Sequence, residues 1–312
     1  MRRVGLLGLA ITLSALGVTP SDAKPGEASK AAPHVKRTEH ITATLVADAK
    51  QVEAGGTFRI GVRFQMKPHW HIYWHSPGTT GLPTKIRFKS GDGARFGPLE
   101  WPAPKFFKTT PSIWGYGYEG DVLLFTTVTL PKELGDKKSV KIAAKTSWLV
   151  CAEACVRGRA KLALTLPVGK ASKSEHHPYF EKAKATVPLR KVPPSLEITE
   201  TLTPESVSPG DPWKLVITVK HREGKALGPA RFTPGAAKGI VVEKAEVQPR
   251  ESNSATLSVH MTGRTGRKGD TLGGIIHIGE GATALMIERS LPLPRATRGA
   301  KSPPLKEQAG KS

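Results

Sequence analysis

Residues 58–67 read FRIGVRFQMK, and this stretch decides the fold. Phe58, Ile60, Val62, Phe64 and Met66 alternate with Arg59, Gly61, Arg63, Gln65 and Lys67. A period of two puts the apolar set on one face and the polar set on the other, the pattern of a half-buried antiparallel strand. It recurs in Val122, Leu124, Thr126, Val128 and Leu130, again in Val140, Ile142 and Ala144 leading to Trp148, and in Ala160, Leu162, Leu164 and Leu166. Turn-forming clusters separate these runs: Glu53-Ala54-Gly55-Gly56, Ser90-Gly91-Asp92-Gly93 and Gly135-Asp136. Short strands punctuated in this way predict an all-β chain, with an antiparallel β-sandwich over residues 39–168.

Residues 169–194 are polar and Lys-rich and stop at Pro193-Pro194. They read as a linker with one short helix around His177 to Ala185. The β pattern then resumes from Leu196 to Leu293. That is about 100 residues, the size of one immunoglobulin-like sandwich, so a second sandwich domain is expected over 195–293. Residues 24–38 and 294–312 have no apolar period and read as a disordered linker and a disordered basic tail.

The N-terminus sets the compartment. Arg2 and Arg3 precede an apolar run from Val4 to Val18, and Ser21-Asp22-Ala23 offers small residues for cleavage after Ala23. This reads as a cleaved signal peptide, too short for a membrane span. The expected location is the periplasm, where disulfides persist. The 312 residues carry a formal charge of +21. Removing residues 1–23, with two arginines and one aspartate, leaves +20. Lys and Arg are spread along the chain rather than gathered among stacking groups, which speaks against nucleic-acid binding. Solubility and weak attraction to anionic surfaces are what such a charge implies by itself. With 38% hydrophobic residues and 4 Met, the chain is no polytopic membrane protein.

The two cysteines lie in WLVCAEAC, as Cys151 and Cys155. Fully extended, four residues would hold their Cα atoms about 13 Å apart, beyond the roughly 4.4–6.8 Å of a disulfide. Pairing therefore needs a turn, which the small residues Ala152 and Ala154 allow. A five-residue loop contributes only about 2 kcal/mol of chain-entropy stabilisation. Two thiols this close in an exported protein suit an exchangeable redox pair, with a fixed structural disulfide or metal ligation as alternatives. Lys145, Arg157 and Arg159 could supply the positive potential that activates a thiolate.

Aromatic residues cluster: 13 of the 19 Phe, Trp and Tyr fall between Phe64 and Phe125. The segment WPAPKFFKTTPSIWGYGYEGD does not alternate like a strand and reads as a functional loop. Upstream, His69, His71, Tyr73 and His75 would share one face of a strand. Histidines at i and i+2 with a cysteine pair could in principle hold copper or zinc. The set is incomplete, and neither a metal site nor a cofactor is expected. No carboxylate pair, nucleophile triad or phosphate-binding glycine loop stands out.

Three blocks, HWHIYWHSPGTTGLPT, YGYEGDVLLFTTVTL and WLVCAEACVRGRAKLAL, resemble the N-terminal periplasmic domain of DsbD-type thiol:disulfide interchange proteins, in the ScsB-like branch. The resemblance spans residues 40–168. It implies an immunoglobulin-like sandwich in which Cys151 and Cys155 are a redox pair exchanging electrons with a membrane electron donor and a thioredoxin-like periplasmic protein. It also implies an aromatic cap carried by Ile113 to Glu119, with Trp114, Tyr116 and Tyr118 as cap residues. His71, Tyr73 and Trp74 fall in the block that frames the site. Two positions depart from the family pattern: Arg157 stands where many members have Pro, and Ser76 and Thr79 flank Pro77-Gly78 where Asn and Asp are common. The membrane-embedded and thioredoxin-like domains of the full-length proteins have no counterpart in the sequence, so donor and acceptor are expected to be separate polypeptides. The competing expectation is a non-catalytic module with a structural disulfide that binds a protein partner or copper.

Overall fold

A computed structural model describes residues 34–296, apart from 79, 109–113, 209, 235–239, 264–270, 280–284 and 294. The expected signal peptide lies outside the described residues, as does nearly all of the basic tail. The first half contains strands β1 (Val35–Arg37), β2 (Ile41–Ala47), β3 (Ala49–Gln51), β4 (Thr57–Met66), β5 (His71–Gly78) and β6 (Lys85–Ser90). They are followed by β7 (Arg95–Phe96), β8 (Lys105–Lys108), β9 (Trp114–Glu119), β10 (Asp121–Thr129), β11 (Ser139–Cys151), β12 (Cys155–Pro167) and β13 (Ser172–Lys173). Helix α1 spans His177–Ala185. Strands β14 (Leu196–Thr203), β15 (Ser206–Val207), β16 (Trp213–His221), β17 (Ala230–Pro234), β18 (Ile240–Glu251), β19 (Ser254–Gly263), β20 (Thr271–Ile278), β21 (Leu285–Pro292) and β22 (Arg295–Ala296) complete the chain.

Two sheets make the first sandwich. One has the order β1-β2-β4-β10-β7, the other β12-β11-β5-β9-β8, with β6 also paired to β11. All of these pairings are antiparallel. The alternation in 58–67 works as read: Phe58, Ile60, Val62, Phe64 and Met66 are buried and join Leu124, Val128, Ile142, Trp148 and Leu162 in one core. Gly61 is required in β4, because a Cβ there would lie 2.7 Å from the Leu124 carbonyl oxygen. The second sandwich sets β14-β16-β19-β18 against β17-β20-β21 around Trp213, Leu215, Ile217, Leu257, Val259 and Ile276. The chain is thus all-β, built as two immunoglobulin-like sandwiches.

The structure refines three expectations. The aromatic-rich segment 101–121 contains two strands, β8 and β9, rather than loop alone. Glycine at 115 and 117 hides the alternation, because Glu119 is the one side chain that the outer face of β9 presents. Residues 35–37, expected in a disordered linker, pair with β2 as an edge strand, and Arg295–Ala296 pairs with β15. The helix expected at 177–185 forms, and it is docked. Phe180, wholly buried, packs with Val46, Leu123 and Phe125 on the outer face of the β2-β4-β10 sheet. Pro178 opens the helix, Lys182 and Lys184 occupy its last turn, and both features favour a short helix. The two sandwiches also touch. Ile275 belongs to the first core, Met286 packs against it, and Leu189 N–H donates to the Met286 carbonyl at 2.7 Å.

Candidate functional site

Strands β11 and β12 form a long hairpin whose register runs from Ser139 opposite Pro167 to Cys151 opposite Cys155. Ala152, Glu153 and Ala154 make the turn, with Ala152 N–H donating to the Ala154 carbonyl at 3.1 Å. The turn brings the cysteine Cα atoms to 4.1 Å, and the sulfurs are bonded. The two ends of the disulfide differ: Cys151 is 2% exposed, whereas Cys155 is exposed.

Strand alternation fixes what surrounds the pair. Cys151 lies opposite His71, and His71 lies opposite Glu119. Cys155, Cys151, His71 and Glu119 therefore form one row on the outer face of the sheet. Beside it, Tyr73, Leu149 and Cys151 make a small buried cluster of their own. Tyr73 is 4% exposed although it points away from the sandwich core. The loop after β5 covers it: at Gly81 (φ +89°) a Cβ would sit 2.3 Å from the Tyr73 ring, and at Gly115 one would sit 3.2 Å from it. Phe107 stacks on His71 at 4.6 Å, and Tyr73 meets His71 edge-on at 5.1 Å. Burial lowers the His71 pKa, partly opposed by the Glu119 carboxylate, so the ring is held neutral. Burial likewise raises the Tyr73 phenol.

Two of the residues expected in a cap, Tyr116 and Tyr118, lie elsewhere. Val150, Ile72 and Tyr118 are cross-strand neighbours, so Tyr118 faces the interior, opposite to the disulfide. Tyr116 shares that face; both tyrosines are buried in the first core, and the Tyr118 hydroxyl donates to the Pro102 carbonyl at 2.7 Å. Trp114 opens β9, but its side chain lies outside the described residues, as does Ile113. Trp74 is also a core residue, in edge contact with Tyr116 at 6.3 Å. Of the aromatic and His residues singled out from sequence whose side chains are described, His71 and Tyr73 are the ones brought to the disulfide. Phe107 and Leu149 were missed, whereas Gly81 belongs to the block expected to frame the site. Parity with His71 could have placed Tyr73 against the cysteine row, and the Gly115/Gly117 alternation marks where a large ring must fit.

The histidines do not assemble. His69 takes φ 68° in the turn before β5, outside the strand, and stands apart from His71 in register. His75 stacks on Trp74 at 3.9 Å and meets Trp101 at 5.2 Å. Among the described residues no group of three or more His, Cys, Asp or Glu side chains could hold a metal ion.

An immunoglobulin-like sandwich with a cysteine pair closing a hairpin on its outer face defines the class of this domain. Residues 42–167 match the family described as thiol:disulfide interchange protein DsbD, N-terminal, and this sandwich is similar to that family. Among solved structures, the N-terminal periplasmic domain of ScsB from Proteus mirabilis superposes with a TM-score of 0.59 at 15% identity. The match covers 84% of this chain and 99% of that one. Residues 42–167 are less than half of the chain, so the shared fold takes in the second sandwich too. The Escherichia coli adhesin FdeC gives a TM-score of only 0.20 at 11% identity, over 83% of this chain and 65% of that one, and carries no argument. No curated protein matches the chain significantly. Among the described residues no helix is long and apolar enough to cross a membrane.

Proposed function

We propose that the chain is an exported thiol:disulfide exchange protein acting in the periplasm through Cys151 and Cys155. Its partners are a thioredoxin-like protein and a membrane electron donor. The observation that carries this reading is the asymmetry of the pair: Cys155 is an exposed residue and Cys151 is buried with Tyr73 and Leu149, on a domain similar to the interchange family. In the reduced protein the Cys155 thiolate attacks a partner disulfide, and one partner sulfur leaves as a thiolate. The Cys151 thiolate then attacks Cys155 in the mixed disulfide, closing the intramolecular bond and releasing the partner as a dithiol. Two electrons pass to the partner. The reverse sequence, with a partner thiolate attacking Cys155 and Cys151 leaving, reduces the chain.

The test is the reduction potential of the pair, read by equilibration with glutathione buffers. Exchange requires a value above roughly −300 mV, and a lower one makes the disulfide structural. Cys151→Ala should accumulate a mixed disulfide through Cys155, because the sulfur that resolves it is gone. Failure of that variant to trap any thioredoxin-like protein, with Cys155 still alkylatable, would also defeat the reading.

A further inference from the structure

We propose that the outer face of the cysteine-bearing sheet is a docking platform for a redox protein whose reactive cysteine is surrounded by carboxylates. The proposal rests on the exchange reading above and adds the chemistry of the partner.

The register supplies the observation. Lys145 lies opposite Lys161 on one side and Arg87 on the other, so three cations stand abreast across β12, β11 and β6. In the next row Ser147 lies between Arg159 and Lys85, and in the next Leu149 lies opposite Arg157. The row after that is Cys155 and Cys151. All six cationic side chains are exposed, and none has an ion-pair partner among the described residues. The nearest acidic positions in register or sequence are Glu119, paired to Lys105 at 3.3 Å, and Glu153 in the hairpin turn.

Like charges directly opposite on a sheet are destabilising. A row of three, continued by three more, is a cost that the fold leaves uncompensated. An anionic surface laid on this face would relieve it. Arg157, Arg159 and Lys161 recur at every second residue from Cys155 along one face of β12, so the charge leads directly to the exposed sulfur. A protein that must bring its own sulfur to Cys155 has to lie beside or upon these cations. A ring of carboxylates around its cysteine would be steered in and held in register. A lipid surface could meet the same charge but has no sulfur to deliver, and the continuity with Cys155 favours a protein.

The test uses the reduced mature chain and synthetic peptides carrying one cysteine activated as its mixed disulfide with 5-thio-2-nitrobenzoate. The five residues on each side of the cysteine are Glu, Gln or Lys. The Cys155 thiolate attacks the peptide sulfur, thionitrobenzoate leaves as a coloured thiolate, and Cys151 then expels the peptide thiol. At low ionic strength the Glu peptide should react at least about tenfold faster than the Gln peptide, and the Lys peptide more slowly. The gap should close as salt shortens the screening length to a few ångströms. Lys85→Gln/Arg87→Gln/Lys161→Gln, which spares the cations beside the thiolate, should remove most of the Glu advantage and leave the Gln-peptide rate unchanged. Equal rates for all three peptides would overturn the proposal while leaving thiol exchange intact. So would a Glu advantage that survives the triple substitution. No reaction with any peptide, with the thiols still alkylatable, would instead defeat the exchange reading itself. Equal peptide rates together with substitution-sensitive binding to phosphatidylglycerol vesicles would assign the face to a membrane and overturn the protein partner.

Discussion

The two outer faces of the first sandwich carry arginine and lysine in opposite ways. On the β2-β4-β10 sheet, Arg59 donates to Asp48 at 2.6 Å and to Glu181 of helix α1 at 2.6 Å, and lies over the Phe180 ring. Arg63 pairs with Asp121 and lies 4.0 Å from the Tyr179 ring centroid. Both arginines of β4 are answered by another part of the same chain, and the helix packs on that face. On the cysteine-bearing sheet, Arg87, Lys145 and Lys161 face one another with no such answer among the described residues. A face that satisfies itself is structural, whereas one left charged and open beside an exposed sulfur is available to something outside the chain.

The largest effect should come from breaking the closed face. Phe180 is wholly buried among Val46, Leu123 and Phe125. Phe180→Ala should cost about 3–5 kcal/mol, read by denaturant unfolding. Thiol chemistry at Cys155 should be unchanged while the variant remains folded, because the helix and the disulfide lie on opposite sheets. Altered exchange rates in the folded variant would break the separation of the two faces.

Tyr73→Ala should follow, at about 3 kcal/mol for a large buried aromatic. It differs in kind, because Tyr73 shares its cluster with Cys151. Loss of the ring exposes the buried sulfur, so reduction of the disulfide by dithiothreitol should accelerate under fully native conditions. Tyr116→Ala should destabilise the core with no such native-state acceleration. Equal acceleration in both would mean that reactivity follows general loosening and not the local cover.

A smaller effect is carried by pH. The folded protein holds His71 neutral, with its pKa below the ordinary value of 6.5. Its contribution is fully present above pH 6.5 and is lost as pH falls toward the lowered folded value, because the unfolded chain takes up the proton first. His71→Gln should flatten the acid side of the stability profile below pH 6.5. An unchanged profile would show that the imidazole is solvated and not packed under Phe107.

How much of this was legible in the sequence depends on which face of a strand was being read. Inward faces announce themselves: Phe58 to Met66 alternate with charges, and the sandwich followed. The hairpin turn was required by chemistry, since Cys151 and Cys155 cannot pair along an extended strand. Tyr116 and Tyr118 were misread as cap residues because they look exceptional in a glycine-rich stretch. Their glycine neighbours in fact mark the side on which another strand's tyrosine lies. That Tyr73 belongs there depends on the pairing of β5 with β9 and on Gly81 folding back, contacts between strands that no single-strand pattern carries. The three cations abreast were hidden for the same reason: Arg87, Lys145 and Lys161 are far apart in sequence, and only register brings them together.

The smallest effect tests that register directly. If Lys145 is flanked by Lys161 and Arg87, removing its charge should stabilise the fold, which is unusual for a surface substitution made without adding a contact. Lys145→Gln should raise stability by about 0.2–1 kcal/mol at low ionic strength, the scale of a directly opposed like-charge pair. The gain should vanish near 1 M salt, where screening acts over about 3 Å. Arg63→Gln on the closed face should behave oppositely, losing stability at low salt because Asp121 and Tyr179 lose their partner. Lys161→Gln made on top of Lys145→Gln should give less than its effect alone, since part of the repulsion has already gone. Independent, additive gains from the two substitutions would mean that the cations do not oppose one another, and the open face would then be an ordinary solvated surface.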